Sequence, residues 1–121
     1  MRGDKTLPVW VDGSPTREFL YSVDAARGIV MATQHYSDAA PVNLGTNSEI
    51  SIRDLAELIC EVMGFEGELD WQTDKPNGQP RRCLDTDRAK KAFGFEAQTD
   101  FREGLKATVE WYRKNAVLQP A

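Results

Sequence analysis

Between Lys75 and Cys83 the chain reads KPNGQPRRC, three positive charges on a segment stiffened by two prolines and carrying no acid. Adjacent guanidiniums such as Arg81 and Arg82 repel each other unless an anion lies between or beside them. A prolyl frame also lowers the ordering entropy that binding costs. Far upstream, VWVDGSPTREF sets an indole at Trp10 and a guanidinium at Arg17 on either side of a Gly-Pro turn. Such a turn brings both onto one ligand, the ring stacking on a flat base and the arginine forking onto phosphate. The alternative is equally physical: Trp10 is core, and Arg17 pairs with Glu18 or a remote acid. Spacing leaves both readings open.

Motifs for catalysis are missing. A tyrosine-dependent reductase needs Tyr-x-x-x-Lys, in which the lysine lowers the tyrosine's pKa for proton transfer; Tyr21, Tyr36 and Tyr112 are each followed four places on by alanine. Gly64 and Gly67 are three apart, but they follow a helical pattern and precede a strand pattern, the reverse of a dinucleotide fingerprint. With His35 as the only histidine, a His-based metal cluster has no ligands.

Composition narrows the class. The 121 residues carry a net charge of −4, and the pI is near 5.0, which argues against a general nucleic-acid binder. No apolar run approaches the ~20 residues that span a bilayer, and MRGDKTLPVW has no signal-type apolar core. Cys60 and Cys83 lack any metal or redox spacing and read as reduced thiols. The expectation is a cytoplasmic protein of one domain, without nucleic-acid or membrane partners.

The elements that must hold these groups alternate. Val9–Val11 reads as a short strand before the turn at Gly13 and Pro15. A helix from Ser22 to about Tyr36 gathers Val23, Ala26, Ile29, Val30 and Thr33 on one face. PVNLGT reads as a strand ended by Gly45. Ser51 and Asp54 form a capping-box pattern ahead of Leu55, Leu58, Ile59 and Val62, and Gly64 closes that helix. GELDW alternates Leu69 and Trp71 as a half-buried strand. Helices from about Thr86 to Phe93 and from about Asp100 to Lys114 finish the chain, the last with Phe101, Leu105, Val109 and Tyr112 on one stripe. The expectation is a small mixed α/β fold of about four helices and two or three short strands.

Taken together, Trp10-x-x-Gly13-x-Pro15-x-Arg17-Glu18-Phe19-Leu20, Asn43-x-Gly45, Ser51-Ile52-Arg53-Asp54-Leu55-Ala56, Lys75-Pro76-x-Gly78-x-Pro80-Arg81 and Leu84-Asp85 resemble the carboxyl-terminal part of the GDP-L-fucose synthase branch of the extended short-chain dehydrogenase/reductases, the NAD-dependent epimerase/dehydratase family. The resemblance covers residues 7–114. It implies the substrate-binding part of such an enzyme without its Rossmann domain. The glycine fingerprint, the catalytic serine, tyrosine and lysine, and the epimerising cysteine and histidine all lie upstream in the family. Cys60, Cys83 and His35 therefore inherit no catalytic role, and the NADP of the intact family has no site here.

What the resemblance carries over is weak binding of a nucleotide sugar through Trp10, Arg17, Lys75, Asn77, Arg81 and Arg82, with the cationic loop as one wall. Asn77 stands where the family usually has aspartate, Arg82 where it often has lysine, and Ser22 and Val23 alter the helix start. As partners it implies a second copy in a homodimer or a separate chain supplying the cofactor domain. Three rivals remain at this point: one half of a two-chain epimerase/dehydratase, an interaction module that keeps the fold without the ligand, or a fragment of a longer protein.

Overall fold

The computed structural model describes residues 5–116, which contain four helices and five strands. In chain order these are β1 (Thr6–Trp10), β2 (Thr16–Arg17), α1 (Ser22–His35), β3 (Ile50–Ser51), α2 (Ile52–Met63), β4 (Glu68–Gln72), β5 (Arg81–Arg82), α3 (Asp87–Phe93) and α4 (Phe101–Ala116). They group into two compact units. The first draws on the chain up to Pro15, on Ser51–Pro80 and on the chain from Asp100; the second on Thr16–Ile50 and Arg81–Thr99.

In the first unit β1 and β4 pair in parallel, Thr6 with Glu68 through to Trp10 with Gln72. In-register partners of a parallel ladder share a face, so Leu7 with Leu69 and Val9 with Trp71 make one apolar stripe. The ladder runs one bond further, from the Val11 amide to the Gln72 carbonyl at 3.1 Å. There the strand stops, because Val11 takes a positive φ of 81°. Helix α2 starts where Ser51 Oγ accepts the Asp54 amide at 3.0 Å. It ends at Gly64, whose left-handed backbone returns its amide to the carbonyls of Cys60 and Glu61. Helix α4 packs against α2. Its Val109 is buried, and Arg102 and Arg113 reach the Glu61 carboxylate and the Met63 carbonyl of α2. Tyr112, on the same stripe by its spacing, is exposed.

The second unit is built around Phe95, 1% exposed, and the fully covered Ala89 of α3. Helix α1 passes close over that ring at Gly28, where a Cβ would lie 2.8 Å from Phe95 and 2.9 Å from Leu44. Arg27 lays its guanidinium over the same ring at 5.2 Å and donates to the Glu96 carbonyl. The buried Asp24 of α1 accepts the Thr99 amide at 3.0 Å. Tyr36 meets Phe93 edge-on, with ring centroids 5.9 Å apart. Val23, Ile29 and Val30, expected as an apolar face, are 55–60% exposed.

The expectation of a strand over 41–46 fails. That segment carries no ladder, because a strand exists only through a partner that takes its amides and carbonyls. The strands that do form around it, β2 and β5, are two residues each and pair in parallel, Thr16 with Arg81 and Arg17 with Arg82. β3 lies on the other side of β2.

Candidate functional site

The six residues singled out in the sequence divide between the units. Arg17, Arg81 and Arg82 belong to the second; Trp10, Lys75 and Asn77 belong to the first.

In the second unit the short parallel ladder sorts the arginines by face. Successive residues of a strand point to opposite sides, and in-register partners to the same side. Thr16 and Arg81 therefore share one face, Arg17 and Arg82 the other. On the first face Glu49 takes everything on offer: its Oε1 accepts Thr16 Oγ1 at 2.9 Å and Arg81 Nε at 2.8 Å, and its Oε2 accepts Arg81 Nη2 at 2.8 Å. These bonds, Arg81's first and Thr16's second, hold the Glu49 carboxyl below its ordinary range, and the same pair keeps Arg81 above its own. On the opposite face no carboxylate is bonded to Arg17, whose Nη1 turns back to the Thr16 carbonyl at 2.7 Å. Among the described residues no hydrogen bond or ion pair holds the Arg82 side chain. Like charges directly across a ladder are destabilising, and here two stand without a counter-charge.

In the first unit Trp10 ends β1 with its residue 67% exposed. Lys75 Nζ stands 5.6 Å from the centre of its ring. The turn that follows is tied from three directions. Asn77 Oδ1 accepts the Asp12 amide at 3.1 Å, the Asp12 carboxylate accepts the Ser14 amide at 2.8 Å, and Arg53 donates to the Asp12 carbonyl at 2.6 Å. The bonds to Ser14 come first in holding the Asp12 carboxyl below its ordinary range, and Asn77 adds to them. Gly13 is required, at φ +83° with a would-be Cβ 2.8 Å from Arg53 Cβ and 2.9 Å from Trp71. Asn77 thus accepts the Asp12 amide and also bonds the Asp12 carboxylate; an aspartate could accept the same amide but not make the second bond.

Sequence reasoning missed Glu49 and Asp12, which organise the two sets. A signal for Glu49 was available: two adjacent arginines in a folded chain call for a carboxylate. Which carboxylate depends on long-range pairing. Of the thiols, Cys83 is pushed up by burial and then by Glu18, whose carboxylate is 3.5 Å away. Cys60 is pushed up by burial and by Glu57. Neither is an activated nucleophile. Among the described residues no group of three His, Cys, Asp or Glu side chains could hold a metal ion. No described helix is long and apolar enough to cross a membrane.

A profile of the NAD dependent epimerase/dehydratase family matches residues 1–45. GDP-L-fucose synthase 1 of Arabidopsis thaliana is 42% identical over 115 residues, covering 95% of this chain and 35% of that protein. The fold is similar to a GDP-L-fucose synthetase from Naegleria fowleri, with TM-score 0.88 and 28% identity over 96% of this chain and 36% of that one. It is also similar to the UDP-glucose 4-epimerase of Thermotoga maritima solved with UDP-glucose, with TM-score 0.82 and 28% identity over 92% of this chain and 36% of that one. The chain spans about a third of the length of the relatives it matches. By sequence and by fold it is similar to a segment of proteins of the NAD-dependent epimerase/dehydratase family, GDP-L-fucose synthases among them.

Proposed function

We propose that this chain binds nucleoside-diphosphate sugars and does no hydride chemistry by itself. The observation that carries the reading is the Arg17–Arg82 face of the β2–β5 ladder, two guanidiniums in register with no carboxylate bonded to either. A diphosphate supplies the missing negative charge in a form that guanidinium forks grip bidentately. Within the first unit, and taken by itself, Trp10 exposes a ring of the kind that stacks on a flat base, with Lys75 5.6 Å from its centre. Asn77 fixes the turn at Asp12. Arg81, engaged by Glu49, serves the ladder rather than the ligand. The relatives support the class: two are named for a GDP sugar, and the Thermotoga enzyme was solved with UDP-glucose.

Melting curves with GDP-mannose, UDP-glucose and no ligand test the reading. A ligand at 100 times its dissociation constant adds about 2.7 kcal/mol, which raises the melting temperature of a domain this size by several degrees. Arg17→Ala and Arg82→Ala are expected to abolish the shift, and Trp10→Ala to reduce it. A flat response to every nucleotide sugar at millimolar concentration overturns the proposal in favour of an interaction module.

A further inference from the structure

Resting on the ligand reading of the arginine face, we infer that Glu49 is a positioning residue for anion binding, although its own charge opposes an anion. Glu49 touches both strands of the ladder at the same register pair, Thr16 of β2 and Arg81 of β5. Each of those residues is the chain neighbour of an arginine of the open face, Thr16 of Arg17 and Arg81 of Arg82. The link on the β2 side is tighter still, because the Thr16 carbonyl accepts from Arg17 itself at 2.7 Å. Three bonds to one carboxylate fix Thr16 and Arg81 on the near face, and strand alternation then fixes Arg17 and Arg82 on the far face. The ladder is only two residues long, and its far face places two like charges opposite each other, which works against pairing. Glu49 supplies the side-chain clamp that offsets this repulsion. It also neutralises Arg81, so that an incoming anion meets two arginines of defined direction instead of three competing ones.

The sign of one substitution separates this from simple electrostatics. If Glu49 were only a negative charge near the site, removing it would free Arg81 and tighten anion binding. If Glu49 positions the pair, removing it weakens binding. The probe is GDP, titrated calorimetrically into the 121-residue chain at low salt. Glu49→Ala is expected to weaken binding about tenfold, the effect of losing one set of charge-assisted hydrogen bonds. Glu49→Gln keeps one acceptor oxygen for Thr16 and Arg81 Nε but loses the acceptor of Arg81 Nη2, and is expected to weaken binding less than Glu49→Ala. Thr16→Val leaves every charge in place and is expected to fall between.

Glu49→Ala binding GDP as tightly as the parent, or more tightly, overturns the positioning role while leaving the ligand reading intact. A parent chain that does not bind GDP, or binds it independently of Arg17, overturns the ligand reading and the positioning role with it. Should circular dichroism show Glu49→Ala unfolded, Thr16→Val decides, since unchanged affinity in that folded variant overturns the role and weaker affinity supports it.

Discussion

Asp24 is a carboxylate almost out of solvent in the first turn of α1. Burial pushes its carboxyl upward, but the bonds from Thr99, a further one from the Gln98 backbone and the charge of Arg27 outweigh it, so its pKa lies below the ordinary 3.8. A carboxyl depressed in the folded state contributes stability that is fully present above its unfolded pKa and is lost as pH falls through the folded one. Glu49, Glu61 and Glu96 are depressed too, first by hydrogen bonds from Arg81, Arg102 and Lys90, and contribute in the same sense. The melting temperature is therefore expected to hold from neutrality to about pH 5 and to fall below about pH 4. Asp24→Asn should lower it by a few degrees at neutral pH and flatten the acid limb. Melting curves across pH check both, and an acid limb as steep as the parent's would show that Asp24 does not carry it. None of this was legible in the sequence, where Asp24 and Thr99 are distant polar residues with nothing to join them.

Helix α2 was legible because every signal for it is local. Its apolar spacing, its serine cap and its closing glycine lie within fourteen residues of one another, and the structure shows the cap bond and the left-handed terminus. Ser51→Ala removes the acceptor of the Asp54 amide and is expected to cost about 1 kcal/mol. Urea titration should show the loss as a lower midpoint at unchanged slope; an unchanged midpoint would mean that the cap adds nothing. Strands were legible only in part. GELDW alternates strongly enough to reveal β4, whereas β2 and β5 are two residues each and owe their existence to partners far away in the chain. PVNLGT shows the converse, since strand-forming residues without a ladder partner make no strand. The candidate site inherits the same limit. Its arginines stood out by type, but their division into a clamped face and an open face is a property of register.

At the scale of the molecule, few large apolar side chains among the described residues are deeply covered. Phe95 and Val109 are buried along with the small Ala89, while Val23, Ile29 and Val30 of α1 lie more than half exposed. Apolar surface clustered on one helix face favours association, and the chain is expected to form a two-fold dimer that covers this face with its own copy. Light scattering coupled to size exclusion at tens of micromolar tests this, with Ile29→Asp expected to yield monomer. A parent chain running at 13.6 kDa overturns the dimer, and a dimer indifferent to Ile29→Asp puts the interface elsewhere. The two ladders also set a timetable. Each is parallel, and each joins an early strand to a late one, Thr6 to Glu68 and Thr16 to Arg81. Closing such long loops precedes any ladder bond and slows folding. On a ribosome adding about 5–20 residues per second, Thr16 waits several seconds for Arg81 to be made. Helices α1 and α2 are synthesised in that interval with neither ladder formed, so the nascent chain acquires its paired arginines only once Arg82 has left the tunnel.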